Sequence, residues 1–231
     1  MKTLLLNGCS FTECWTPSKY FLDNLNCDTY VNIGKVATSF QRTCRSTIEW
    51  IAQNGDPSFI IIPITFSHRW ELALYKEEDT IDGAWTPLQI SDLINEKHEL
   101  HGTNFKDLKK LIDDYYKIIP TIKTYWDKQF TEIIMLAGWL DSRNIPYLMF
   151  DMCNDFDMKH LKGYKGFTKL DIIKTNNKII NLFNFCGNRY MWSTMPNKDQ
   201  IDFNIHHAPE QYRELEKYLL NYLKKISITA V

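Results

Sequence analysis

Four short apolar runs punctuate the chain, at residues 3–6, 29–33, 59–64 and 146–150, each bounded by turn-forming residues. Their hydrophobicity is continuous and rich in Leu and β-branched residues, which reads as buried strand. A strand apolar on both faces must be covered on both, as in a parallel sheet. Helical periodicity fills the intervals. Residues 39–53 supply a helix between the second and third strands. Leu108, Leu111, Ile112, Tyr115 and Ile119 recur at helical spacing until Pro120 kinks or breaks the pattern. Trp126, Phe130, Ile133, Ile134, Ala137 and Leu140 mark one face of the next helix. Ile172, Ile173, Ile179, Ile180 and Phe183 predict another over 169–185. The last opens near Pro209, which suits a first helical turn, and runs to about Lys225. Strand-helix alternation of this kind predicts an α/β fold: a three-layer α/β/α sandwich around a mostly parallel, doubly wound sheet.

One stretch departs from that rhythm. Residues 70–104 are polar, aromatic and irregular, and longer than an ordinary connection. A lid or binding loop and a solvated surface excursion both fit. With 231 residues, 44% of them hydrophobic and 14% aromatic, the chain suits one domain spanning 1–231 with a self-sufficient core.

Charge and cysteine content narrow the function classes. The formal net charge of −1 lacks the basic footprint of a nucleic-acid binder. No stretch approaches the ~20 apolar residues of a membrane span. Leu4, Leu5 and Leu6 after Met1-Lys2 fall short of the ~7–15 apolar residues of a signal peptide. Six cysteines at irregular spacing do not form a disulfide framework. These features predict a cytoplasmic protein with reduced thiols, in the host cytoplasm if the chain is viral. Richness in Ile, Asn and Lys suits an AT-rich bacterial or viral genome.

Candidate chemistry lies at the two ends of the chain. The first strand runs directly into Asn7-Gly8-Cys9-Ser10-Phe11-Thr12, so Ser10 falls where open α/β sheets place their ligands. Gly8 permits a tight turn before the serine. Backbone N–H groups of a following helical turn can face developing negative charge. A helix cap is the plainer role for such a serine. Near the other end, Asn204-Ile205-His206-His207-Ala208-Pro209 places two imidazoles in a loop ahead of the last helix. A general base needs contact with its nucleophile at about 3 Å and a second group to fix its tautomer. Asn204 and Asp202 are the upstream groups available.

Taken in order, these segments resemble the blocks of the SGNH (GDSL-type) hydrolases, in the GxSxT form of bacterial and phage members. Gly8-Cys9-Ser10-Phe11-Thr12 resembles the first block, and Val31-Asn32-Ile33-Gly34 through Ser39 the second. Ile60-Ile61-Ile62-Pro63-Ile64-Thr65 with Arg69 and Glu71 resembles a phage-type third block. Asn204-x-His206, with Tyr212 six residues beyond the histidine, resembles the last. The resemblance implies a serine esterase or acyl hydrolase acting on a small-molecule or carbohydrate ester without a cofactor, metal or nucleic-acid or membrane partner. Ser10 would be the nucleophile and His206, or less favourably His207, the base. Ser10 and Ala37 would supply oxyanion-hole N–H groups, with Thr65 or Ser67 donating through a hydroxyl.

Three positions depart from the family pattern. Ala37 stands where a glycine is usual, the third block lacks its asparagine, and Asn204 occupies the usual place of an acid. An amide orients an imidazole but does not stabilise imidazolium as a carboxylate does. A catalytically silent binding module of the same fold, or an acyltransferase using the same residues, are therefore the alternatives. Arg69 and Glu71 form either a bracing ion pair or a clamp for a substrate carboxylate. His98 and His101 lack the spacing of a zinc helix motif. Asp151, Asp155 and Asp157 read as a solvated loop before a cation site.

Overall fold

The computed structural model describes residues 1–35, 38–65, 70–73, 85–88, 110, 122–151, 168–181 and 209–226. The strands among them are β1 (Thr3–Leu6), β2 (Thr29–Asn32), β3 (Phe59–Ile64), β4 (Trp70–Ala73), β5 (Trp85–Leu88), β6 (Tyr147–Asp151) and β7 (Ile179–Asn181). The helices are α1 (Ser10–Glu13), α2 (Lys19–Asn24), α3 (Phe40–Asn54), α4 (Ile122–Ser142), α5 (Thr168–Thr175) and α6 (Pro209–Lys225). Five strands form one parallel sheet in the order β2-β1-β3-β6-β7. Strand order reverses between β1 and β3, and in doubly wound sheets ligands bind outside the carboxyl ends of the strands at that switch.

The sheet is covered on both faces, as its continuous hydrophobicity requires. Leu4 and Leu6 of β1, Phe59 and Ile61 of β3 and Leu148 and Phe150 of β6 face one way. They pack against Trp15, Phe21 and Leu22 and against Leu215, Leu219 and Leu223 of α6. Leu5, Ile60, Ile62, Tyr147 and Met149 face the other way, against Phe40 and Ile51 of α3, Phe130, Ile133 and Leu140 of α4, and Leu170 and Ile173 of α5. The result is a three-layer α/β/α arrangement, as the sequence pattern predicts.

Two expectations need correction. The helix predicted over 169–185 stops at Thr175, and Ile179 and Ile180 belong to β7. Asn176 makes the break: its Oδ1 accepts from Lys178 N at 2.9 Å and its Nδ2 donates to Tyr147 Oη at 3.1 Å. An Asx turn of this kind offers the backbone an alternative to the helix, and the two β-branched residues that follow pair with β6. Asp151 is likewise no part of a solvated loop. It closes β6 opposite Ile64 and is 1% exposed.

Smaller differences are local. β2 ends at Asn32, one residue early, although Ile33 N still donates to Leu6 O at 2.9 Å. The unanticipated α2 is six residues long, capped where the Ser18 side chain accepts from Phe21 N. In 70–104, β4 and β5 pair antiparallel as a separate two-stranded sheet. The helical spacing at 108–119 lies outside the described residues, Lys110 excepted. Among the described residues no helix is long and apolar enough to cross a membrane.

One buried carboxylate ties the two ends of the chain together. Glu216 of α6 is 2% exposed. It accepts from Trp15 Nε1 at 3.2 Å, Ser18 N at 2.9 Å and Arg213 Nη1 at 2.8 Å, while its other oxygen accepts from Ser18 Oγ. Removing the acceptor strands the buried Trp15 N–H and the part-buried Ser18 donors at once, which costs more than a net hydrogen bond. Glu216→Ala is expected to destabilise the protein by at least about 2 kcal/mol in denaturant unfolding, and Glu216→Gln, which keeps an acceptor, by clearly less. Equal, small losses in the two variants would contradict this role.

Candidate functional site

The exit of β1 is built from polar contacts that leave little conformational choice. Asn7 N donates to Ile61 O at 3.2 Å, carrying the β1–β3 ladder one step further. Its buried side chain turns toward α3, with Nδ2 within 2.9 Å of Thr43 O, 2.9 Å of Ser46 Oγ and 2.8 Å of Thr47 Oγ1. Its Oδ1 accepts from Gly8 N at 2.9 Å. The Cys9 carbonyl then accepts from Thr12 N and Glu13 N, at 2.9 and 3.0 Å, and these bonds start α1. Ser10 is therefore the first helical residue, whose N–H has no acceptor within the helix. It is 3% exposed, and among the described residues its hydroxyl has no hydrogen-bond partner.

Thr12 locks that turn in place. A Cβ on Gly8 would fall 2.3 Å from Thr12 Oγ1 and 3.1 Å from Pro63 O. One on Gly34 would fall 2.7 Å from Thr12 Cβ and 3.0 Å from Glu13 N. Both glycines thus exist to let backbone approach the threonine, which is fully buried. Asn32, at the end of β2, reinforces the contact. Its Nδ2 donates to Thr12 O at 2.5 Å and Trp15 O at 3.1 Å, and its Oδ1 accepts from Gly34 N at 3.0 Å. The chain after β2 also folds over the Gly8 carbonyl, which accepts from Lys35 N at 3.0 Å and Thr38 Oγ1 at 3.3 Å. Both residues flanking 36–37 are therefore anchored on the turn that carries Ser10.

The neighbouring strand and the last helix complete this edge. Thr65 follows β3, is 1% exposed, and its carbonyl accepts from Gln129 Nε2 of α4 at 2.6 Å. From α6, Tyr212 Oη donates to Phe11 O at 2.7 Å while its ring stacks on Trp15 at 6.0 Å. Burial pushes the Tyr212 phenol up, and the nearby Cys14 and Cys9 add to the shift, so it stays protonated and donating. The start of α6 is thereby fixed against the Ser10 helix.

Of the residues singled out from sequence, Ser10 and Thr65 stand at the carboxyl ends of adjacent strands. Glu71 lies in β4 opposite Pro87. Asp202, Asn204, His206, His207, Ala37, Ser67, Arg69, Asp155, Asp157, His98 and His101 lie outside the described residues. Among the described residues no cluster of three or more His, Cys, Asp or Glu could hold a metal ion. Sequence reasoning missed Asn7, Thr38 and Gln129. Asn7 had a signal, a polar residue in phase with Leu5 at the end of a strand apolar on both faces; Gln129 had none beyond its place on the apolar stripe of α4. No protein-family model matches this sequence, and no curated protein matches it.

The wedge predicts strong coupling between Gly8 and Thr12. Gly8→Ala should cost about 1–3 kcal/mol through overpacking. Thr12→Ala removes the hydroxyl that clashes, so the double variant should recover at least about 1 kcal/mol relative to additivity in a double-mutant cycle. Additive losses would show that the threonine does not set the turn.

Proposed function

We propose that this chain is a serine hydrolase of the SGNH type, removing a small acyl group such as acetyl from a small-molecule or carbohydrate ester. The observation that carries this reading is the placement of Ser10 at the head of α1, outside the carboxyl end of β1 and beside the strand-order switch. A nucleophile there is held on a fixed backbone turn, and its N–H is unclaimed within the helix. The Tyr212 bond to Phe11 O supports a base from the segment before α6. His206 precedes Pro209 by three residues, a span of at most about 10 Å.

In this mechanism Ser10 Oγ attacks the acyl carbonyl while His206, or His207 in its place, takes the hydroxyl proton. The tetrahedral oxyanion is met by the N–H groups of Ser10 and Ala37, with a hydroxyl from Thr65 or Ser67. The imidazolium returns its proton to the leaving alkoxide, and water, activated by the same histidine, releases the acid and restores Ser10. Asp202 or Asn204 orients the imidazole; Arg69 and Glu71 brace the approach or bind the substrate. The near-complete burial of Ser10, 3% exposed, favours a second reading, a ligand-binding module without turnover.

Turnover of p-nitrophenyl acetate separates the two. The hydrolase reading predicts activity above the buffer rate that is lost in acid as the base is protonated. Ser10→Ala should abolish it and His206→Ala lower it by about 10³-fold or more. If Asp202 orients the imidazole, Asp202→Asn should cost orders of magnitude and Asn204→Asp little; if Asn204 orients it, Asp202→Asn should change little and Asn204→Asp should raise the rate. A wild-type rate no better than buffer across acetyl, butyryl and sugar-acetate esters would leave the binding module.

A further inference from the structure

Two buried polar atoms on one stripe of α4 have no hydrogen-bond partner among the described residues. Trp126 and Gln129 are three residues apart, which puts their side chains next to each other on the helix. Both pack toward the sheet, Trp126 9% and Gln129 3% exposed. Gln129 Nε2 is spent on Thr65 O at 2.6 Å, which fixes the orientation of the amide and turns Oε1 away from that bond. Gln129 Oε1 and Trp126 Nε1 are both buried without a hydrogen-bond partner among the described residues. A buried donor or acceptor left unpaired costs about 1–3 kcal/mol, so a helix that keeps one of each, three residues apart, offers two groups that a ligand can satisfy.

The position of the pair decides which ligand. Gln129 is bonded to the residue that follows β3, and Gly8, two residues before Ser10, lies against Pro63 of that strand. The pair therefore lies along the carboxyl edge where the proposed acyl chemistry takes place. One free N–H and one free carbonyl oxygen match a group that accepts and donates together, and a hydroxyl does both through one atom. An anion would meet the electron-rich Gln129 carbonyl oxygen. A cation would meet the indole N–H. Neither charge suits the site.

We propose that Trp126 and Gln129 form a recognition pair for a hydroxyl of an uncharged polyol, the alcohol part of the ester that Ser10 is proposed to cleave. This deepens the hydrolase reading and rests on it for the identity of the ligand as substrate, while the binding itself needs no turnover. The test uses full-length Ser10→Ala protein, so that binding is read without chemistry. The Trp126 indole N–H resonance, assigned by its loss in Trp126→Phe, is followed in a ¹H–¹⁵N spectrum as methyl glucoside, glycerol, acetate or inorganic phosphate is added. A saturable shift with methyl glucoside or glycerol and none with the two anions is expected. Gln129→Met should weaken that binding about tenfold or more. Shifts with the anions alone, or no shift with any probe, would overturn the proposal and leave the pair to trapped water. So would unchanged polyol affinity in Gln129→Met; should that variant fail to fold, unchanged affinity in Trp126→Phe, read from protein-detected shifts elsewhere, overturns it equally. Binding with no esterase activity in the wild-type protein would sustain the pair and reject the hydrolase, whereas activity without binding would do the reverse.

Discussion

Close packing around Thr12 is the constraint on which this architecture depends. Gly8 leaves β1, Gly34 leaves β2, and each brings bare backbone against the same side chain, where a single Cβ would be 2.3 or 2.7 Å from its atoms. Glycine supplies that approach by having no Cβ, and neither position has a positive φ that would require it for another reason. Because the threonine is in the same helical turn as Ser10, whatever fixes Thr12 fixes the serine backbone. Strand exit, loop and the Ser10 turn thus form one packed unit. Protein interiors yield little to such contacts, so the turn is held before any ligand arrives.

Polar groups extend that rigidity across the carboxyl edge of the sheet. Asn7 bonds β1 to α3, Asn32 bonds β2 to α1, Tyr212 bonds α6 to α1 and Gln129 bonds α4 to the chain after β3. Glu216 adds the N-terminal segment around Trp15 and Ser18 to α6. Each of these side chains is partly or wholly buried and links elements distant in sequence. Helices on both faces are therefore registered against one end of the sheet, the end at which doubly wound folds bind ligands. Trp126 Nε1 and Gln129 Oε1 on α4, like the Thr12 hydroxyl, are buried without a hydrogen-bond partner among the described residues.

The layers of the fold were legible in the apolar runs. Leu4, Leu5 and Leu6, and Phe59 through Ile64, could be read as doubly covered strands because hydrophobicity without alternation has few other short solutions. Pro209 marked the start of α6. The α5–β7 boundary was not legible, since Ile172, Ile173, Ile179 and Ile180 fit a helical stripe as well as two separate elements. Only the competing turn at Asn176, which needs Tyr147 from another strand, decides it. Ser10 was legible from its place after β1, but the reason it is held there was not. That reason consists of contacts among Gly8, Thr12, Asn32 and Gly34, and each depends on the register of β2 beside β1. The buried bonds of Gln129 and Glu216 depend on tertiary packing and leave no periodic trace.

The central claim is that the fold holds Ser10 as an activated nucleophile and not simply as the first residue of a short helix, whose cap is Cys9. Fluorophosphonate labelling followed by peptide mass spectrometry tests it most directly, since the reagent modifies a serine only where a base and an oxyanion site act together. The account predicts a single adduct on the peptide containing Ser10, lost on unfolding. An unlabelled protein, or an adduct on any other serine, would contradict it.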